Sequence, residues 1–120
     1  MSDNITKKSF GYEAVWAKAE NYIGKIVMFD ATNATIPIHY HAKTEKSWFF
    51  NSGSFTLKWI DTKTGVLYEK EINEGSVFHV PKLMPVGLKS LTDSGSITQV
   101  QNIDDPEDYY QISPEPKEDA

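Results

Sequence analysis

The sequence contains no cysteine, so neither a disulfide nor a thiolate ligand nor a thiol nucleophile can contribute to its fold or chemistry. Long apolar runs are also missing, since runs such as Ile26–Phe29 are too short to cross a bilayer. The first residues, Met1–Lys8, lack the apolar stretch of a secretion signal. We therefore expect a cytoplasmic protein with no membrane partner.

Basic clusters are absent as well, because 17 acidic and 12 basic residues give a net charge of −5. Nucleic-acid binding requires a basic face, so we expect no nucleic-acid partner. Much of the acidic excess lies near the C-terminus, in Asp104–Asp108 and Glu115–Asp119. We expect residues 111–120 to form a solvated, poorly ordered tail.

Turn-forming glycine and asparagine residues recur along the chain at roughly ten-residue intervals. The segments between them are short and rich in β-branched and aromatic residues: Lys25–Ala31, Ser54–Ile60, Val66–Ile72, Ser76–Val80 and Ser96–Gln101. Such spacing predicts an all-β sandwich or barrel. A chain of 120 residues is the length of one domain, which we place at residues 9–110 after a flexible segment at 1–8.

The segment Tyr12–Tyr22 is ambiguous. Its alanine, lysine and glutamate residues suit a helix, but Tyr12, Ala14 and Trp16 alternate as they would on a strand. We predict a strand followed by a loop.

The residues that suggest chemistry lie in Ile36–Phe55, which holds two of the three histidines. His39 and His41 are one residue apart, so on a strand both side chains point to the same face, about 7 Å apart along the backbone. Two imidazoles in this arrangement can converge on a metal or on a substrate. Glu45 follows four residues after His41.

These residues resemble the two sequence motifs of the cupin superfamily. The first motif is similar to His39-x-His41 followed by an acidic residue and an aromatic strand that ends at Gly53. The second motif is similar to Gly75-Ser-Val-Phe-His-Val-Pro81. The segments Phe10–Trp16 and Tyr22–Ile26 are similar to elements of the mannose-6-phosphate isomerase type II branch. The resemblance covers roughly residues 8–110. It implies an all-β jelly-roll barrel whose histidine pair faces the interior.

The chain departs from the family pattern at two of the four expected metal ligands. When Gly53 fixes the register, the usual glutamate position falls on Lys46, and Val86 stands where a final histidine is usual. The resemblance thus leaves two forms of the site open. In one, a divalent metal (Zn, Mn, Fe or Ni) binds His39, His41 and Glu45, although strand alternation directs Glu45 and Lys46 to opposite faces.

In the other form no metal is bound, and His39, His41 and Lys46 are the catalytic groups. A histidine is then the base and Lys46 is the fixed cation. Metal-independent sugar-nucleotide ketoisomerases of the superfamily, which the chain also resembles, lack the final histidine too. For His79 we expect a structural role rather than ligation.

The expected function is binding of a sugar phosphate or sugar nucleotide, with isomerisation or epimerisation as the reaction. Candidate substrate-binding residues are Tyr12, Trp16, Lys25 and Trp48. A non-catalytic binding or sensing module with a degenerate metal site is the alternative. A metal-dependent oxygenase is disfavoured because two histidines without a secure carboxylate fall short of a facial triad. The resemblance also implies a homodimer, which we expect to form through exposed strand edges.

Overall fold

The computed structural model describes residues 4–112, and this part of the chain consists of strands and turns without a helix. No segment of it is therefore a helix long and apolar enough to span a membrane. The strands are β1 (Ile5–Lys8), β2 (Gly11–Ala19), β3 (Tyr22–Phe29), β4 (Thr35–Tyr40), β5 (Lys46–Ser52), β6 (Phe55–Ile60), β7 (Leu67–Ile72), β8 (Val77–Val80), β9 (Val86–Ser90), β10 (Gly95–Gln101) and β11 (Tyr110–Gln111).

The strands form two sheets in which every pairing is antiparallel. One sheet has six strands in the order β1-β2-β3-β10-β5-β8, and the other has five in the order β11-β4-β9-β6-β7. Gly53 and Gly75 adopt positive φ angles of 86° and 88° in the turns after β5 and β7, a conformation that glycine adopts without steric cost.

Apolar side chains of the two inner faces fill the space between the sheets. At its centre Phe29, Phe50 and Phe55 are buried, and their rings contact one another with centroids 5.0 and 5.4 Å apart. Their burial follows from period-two alternation, because β5 and β6 present every second residue to the interior. This core lies beside the histidine pair and fixes the strands that carry it.

The predicted all-β fold is confirmed. Tyr12–Tyr22 is not a helix: β2 ends at Ala19, and only a two-residue turn precedes β3. Ile5–Lys8 pairs with β2, and Tyr110–Gln111 pairs with β4. Backbone pairing thus extends into both segments that were expected to be flexible. The rest of the predicted tail, residues 113–120, lies outside the described residues.

Candidate functional site

A cavity of about 360 Å³ opens between the sheets. Both sheets contribute to its wall, as does the segment that leads into β11. Its polar lining residues include Glu13, Lys25, His39, His41, Thr44, Lys46, Gln99, Gln101, Asp104, Asp105 and Asp108. Trp48 and Tyr109 add aromatic walls.

His39, His41 and Lys46 meet inside this cavity. The Lys46 Nζ atom lies 3.3 Å from His39 Nε2 and 3.1 Å from His41 Nε2. Lys46 begins β5 and shares its buried face with Trp48 and Phe50. The lysine is only 6% exposed, so its ammonium is held inside the protein rather than at the cavity mouth.

The hydrogen bonds of the two rings define their tautomers. Each Nδ1 faces a backbone carbonyl oxygen, that of Pro37 for His39 at 2.8 Å and that of Asp108 for His41. A carbonyl only accepts, so each Nδ1 carries the proton and each Nε2 presents a lone pair. Both lone pairs are directed at the Lys46 ammonium. That group has three N–H bonds, and one remains for a ligand or water.

Burial and mutual proximity shift the titration of all three groups. Burial, followed by the nearby Lys46 charge, lowers the pKa of His39 to about 3. The same two causes lower the pKa of His41. Burial lowers the pKa of Lys46 to about 8, so the ammonium form still predominates at pH 7. The site at neutral pH therefore consists of two neutral imidazoles and one cation.

Asp108 and Tyr109 contact the histidine pair, and no sequence pattern predicted this role for either residue. The buried Asp108 carboxylate accepts hydrogen bonds from the backbone N–H groups of Ala42, Lys43 and Thr44 and from the Thr44 hydroxyl. Burial alone would raise the pKa of Asp108, but these bonds outweigh it and lower the pKa to about 2.

The Tyr109 ring stacks on His39 with centroids 4.7 Å apart and an interplanar angle of 22°. Nothing in the acidic segment around Asp108 and Tyr109 distinguishes them by type or spacing, so their role follows only from the antiparallel pairing of β11 with β4.

A second set of side chains, Trp48, Gln99 and Gln101, forms a chain of contacts that ends at Lys46. The Trp48 indole lies 5.0 Å from Lys46 Nζ, within the range of a cation–π interaction. Its N–H donates to Gln99 at 2.7 Å, and Gln99 donates to Gln101 at 2.6 Å. Gln101 in turn donates to the Ile103 carbonyl at 2.7 Å. This chain of hydrogen bonds fixes the Trp48 ring against the ammonium.

The expected substrate-binding residues divide between two sides of the sheet. Lys25 lines the cavity and forms an ion pair with Glu13 at 3.3 Å, and Trp48 forms part of its wall. Tyr12 and Trp16 are not among the lining residues. Trp16 is 57% exposed and covers Gly24, where an added Cβ would come 2.7 Å from the indole ring. The structure thus brings Lys25 and Trp48 to the histidine pair and places Trp16 elsewhere.

Glu45 points away from the histidine pair. Its carboxylate lies 2.8 Å from His79 Nε2, while His79 Nδ1 lies 2.9 Å from the Ser47 hydroxyl. Glu45, Ser47 and His79 all lie on the outer side of the six-stranded sheet, where the Glu45 and His79 side chains are about half exposed. Strand alternation is the reason, because Lys46 takes the inward position next to Glu45.

The cavity residues do not fit a divalent metal at the histidine pair. Within residues 4–112, no group of three or more His, Asp or Glu side chains is arranged to hold a metal ion. The lone pairs that would bind a metal already accept hydrogen bonds from a cation, and an ammonium repels a dication at such distances. The buried Val86 is paired with His39 across β9 and β4 and supplies no donor atom.

Comparisons with known proteins agree with this architecture. The family model described as Cupin matches residues 20–111. Among solved structures, oxalate decarboxylase from Bacillus subtilis is 16% identical with a TM-score of 0.79, over 90% of this chain and 29% of that one. Another structure of that enzyme, whose Mn(II) centres were characterised, is 17% identical with a TM-score of 0.78, over 90% and 30% of the two chains.

CapF in complex with an inhibitor is 14% identical with a TM-score of 0.78, over 92% of this chain and 34% of that one. The chain therefore spans about a third of the length of these structures. A search of curated proteins finds no match. The likeness to solved structures confirms the jelly-roll barrel, and the family match extends over most of the sequence. The chain belongs to the cupin family.

Proposed function

We propose that this cupin binds a sugar phosphate or sugar nucleotide in its cavity and isomerises or epimerises it without a resident metal. The observation that carries the proposal is the Lys46 ammonium, held between two neutral imidazoles inside the cavity. Together these groups offer a fixed positive charge and a base, the two requirements for moving a proton next to a carbonyl group.

In such a reaction a base removes the proton from the carbon beside the carbonyl, and negative charge develops on the carbonyl oxygen. The remaining Lys46 N–H is the donor for that oxygen. His41 is the better base of the pair, because the pKa of His39, at about 3, leaves its Nε2 too weakly basic for efficient proton transfer. His41 Nε2 becomes available when the Lys46 ammonium turns from it towards the substrate oxyanion.

The rest of the cavity suits a hydroxylated ligand. The Lys25–Glu13 pair supplies a donor and an acceptor with little net charge, and both side chains are less than 20% exposed. Trp48 provides a flat apolar wall of the kind that packs against a sugar ring. Sugars present alternating hydroxyl and C–H surfaces, which match this combination.

Exchange of the substrate proton with solvent tests the proposal. We expect sugar phosphates or sugar nucleotides that raise the melting temperature to incorporate deuterium from D2O at the carbon beside the carbonyl, detected by proton NMR. His41→Gln and Lys46→Met should each reduce this exchange by about 100-fold or more. Glu45→Gln, on the opposite face of the sheet, is the matched control and should exchange at the wild-type rate. If no sugar phosphate or sugar nucleotide binds, the proposal is overturned.

A non-catalytic binding module is the second candidate, and one observation favours it. Both Nε2 lone pairs already accept hydrogen bonds from Lys46, so neither is free to take a proton while the ammonium stays in place. Ligand binding without solvent exchange, with affinity retained in His41→Gln, would identify this function.

A further inference from the structure

Lys46 is a buried amine that lacks the usual partner of a buried charge. Among the ion pairs in the part of the chain that the structure describes, none involves Lys46. Its hydrogen-bond partners are the uncharged rings of His39 and His41. Lys25, in the same cavity, instead pairs with the Glu13 carboxylate at 3.3 Å. Because a buried charge normally requires such a counter-ion, the ammonium is not the only form of Lys46 that this site can hold.

The histidine pair suits the neutral amine as well as it suits the ammonium. A neutral lysine amine has two N–H bonds and one lone pair, arranged tetrahedrally about Nζ together with the bond to the side chain. Both histidine Nε2 atoms are acceptors, because each Nδ1 donates its proton to a backbone carbonyl. The two N–H bonds of Lys46 are therefore donated to His39 at 3.3 Å and to His41 at 3.1 Å. The lone pair is left in the third position.

The third position around Lys46 Nζ is the one that a ligand can occupy. Lys46 lines the cavity, and the other two positions are taken by imidazoles that also line it. Burial lowers the pKa of Lys46 to about 8, so about a tenth of the molecules carry the neutral amine at pH 7. A desolvated lysine amine whose lone pair is directed at a ligand is a nucleophile for carbonyl carbon.

We propose that Lys46 binds the aldehyde group of a small hydroxyaldehyde, such as an open-chain aldose, covalently as an imine. This inference rests on the ligand class of the proposed function but not on its proton-transfer step. The cavity, at about 360 Å³, lies near the lower end of the roughly 300–1,000 Å³ of small-molecule sites, so it encloses a small compound. The Lys25–Glu13 pair in the cavity offers a donor and an acceptor to the hydroxyl groups of such a compound.

The proposed step balances in atoms and electrons. The Lys46 lone pair attacks the carbonyl carbon, and the π electrons of the C=O bond move to the oxygen. His41 Nε2, 3.1 Å from Nζ, carries the two amine protons in turn to that oxygen, which leaves as water while the C=N bond forms. Nothing is oxidised or reduced. The imine nitrogen then binds a proton from solvent, and the resulting cation retains the contact with the Trp48 ring, whose centroid is 5.0 Å from Nζ.

Reductive trapping tests the proposal. The full chain is incubated at pH 7.5 with glycolaldehyde, the smallest hydroxyaldehyde, and with sodium cyanoborohydride, which reduces an imine to a stable secondary amine. Peptide mass spectrometry then measures the rate of modification at each lysine. We expect Lys46 to be modified at least about 10-fold faster than Lys70, an exposed lysine of β7, because two acceptors orient the Lys46 lone pair. This comparison is made within wild type and does not depend on a variant folding.

Two matched variants assign the fast reaction to its residue. Lys46→Met should abolish the fast modification, whereas Lys70→Met, the same change on the other sheet, should retain it. Equal rates at Lys46 and Lys70, or fast modification that survives in Lys46→Met, would overturn the proposal. Failure of the proposed function is distinguishable from failure of the imine. Deuterium exchange without trapping overturns the imine alone, and trapping without deuterium exchange supports the imine while counting against isomerisation.

Discussion

Acid should destabilise this protein through His39, and the size of the effect follows from its burial. The ring is only 2% exposed, and its pKa falls from 6.5 to about 3 on folding. Between these two values the unfolded chain binds a proton that the folded chain does not. The resulting stability is therefore complete above pH 6.5 and is lost as the pH falls towards 3. Integration from pH 7.5 to pH 5 gives a loss of about 2 kcal/mol from this residue alone.

The assay is urea unfolding at pH 7.5 and at pH 5, followed by far-UV circular dichroism, for wild type and His39→Gln. Glutamine can still accept a hydrogen bond from Lys46 but does not titrate in this range. We expect the pH-dependent loss of unfolding free energy to be about 2 kcal/mol smaller in the variant. His79→Gln, which removes the half-exposed histidine, is the control and should retain the wild-type loss. An equal loss of unfolding free energy in wild type and His39→Gln would refute the conclusion that His39 is buried as a neutral imidazole.

Three further substitutions test other parts of the structure. Because burial lowers the pKa of Lys46 to about 8, the unfolding free energy of wild type should rise by about 2 kcal/mol from pH 7.5 to pH 10 in urea titrations, and Lys46→Met should abolish that rise. Asp108→Ala leaves the backbone N–H groups of Ala42, Lys43 and Thr44 without their acceptor and should lower the unfolding free energy by about 2 kcal/mol. Unchanged stability would contradict the role assigned to this carboxylate. Gly24→Ala should displace the Trp16 ring and lower the unfolding free energy by about 1 kcal/mol, measured by thermal melts. Acrylamide should then quench the indole fluorescence more strongly, and unaltered quenching would contradict this contact.

Most of the barrel could be predicted from the sequence, because its signals are local. Glycine turns such as Gly53 and Gly75 and the alternation in Phe55–Trp59 mark strands without reference to distant residues. The opposite faces of Glu45 and Lys46 also followed from the sequence, since two-residue periodicity places Lys46 with Trp48 and Phe50. The short strands β1 and β11 were harder to predict, because they consist entirely of exposed residues and lack an apolar pattern.

The candidate site was only half predictable. His39, His41 and Lys46 are within seven positions of one another, and the turn between β4 and β5 brings the two strands to opposite walls of one cavity, so inward alternation on each was enough to bring them together. Asp108 comes from 67 positions beyond His41, and its contact depends on how the last described strand pairs with β4. The partner of Glu45 was likewise unpredictable, since His79 reaches it across β8 and β5. Long-range register, rather than residue type, determined these contacts.

Calorimetric titration with Mn2+ and Zn2+ measures whether the Lys46 ammonium takes the place of a metal between His39 and His41. Wild type should bind neither ion at the histidine pair. Lys46→Glu should bind one ion per chain, because the change removes the cation and adds a carboxylate beside two free imidazole lone pairs. Lys46→Gln, which removes the charge without adding a carboxylate, should bind more weakly than Lys46→Glu. Stoichiometric binding by wild type that is lost in the His39→Gln, His41→Gln double variant would contradict this role of Lys46.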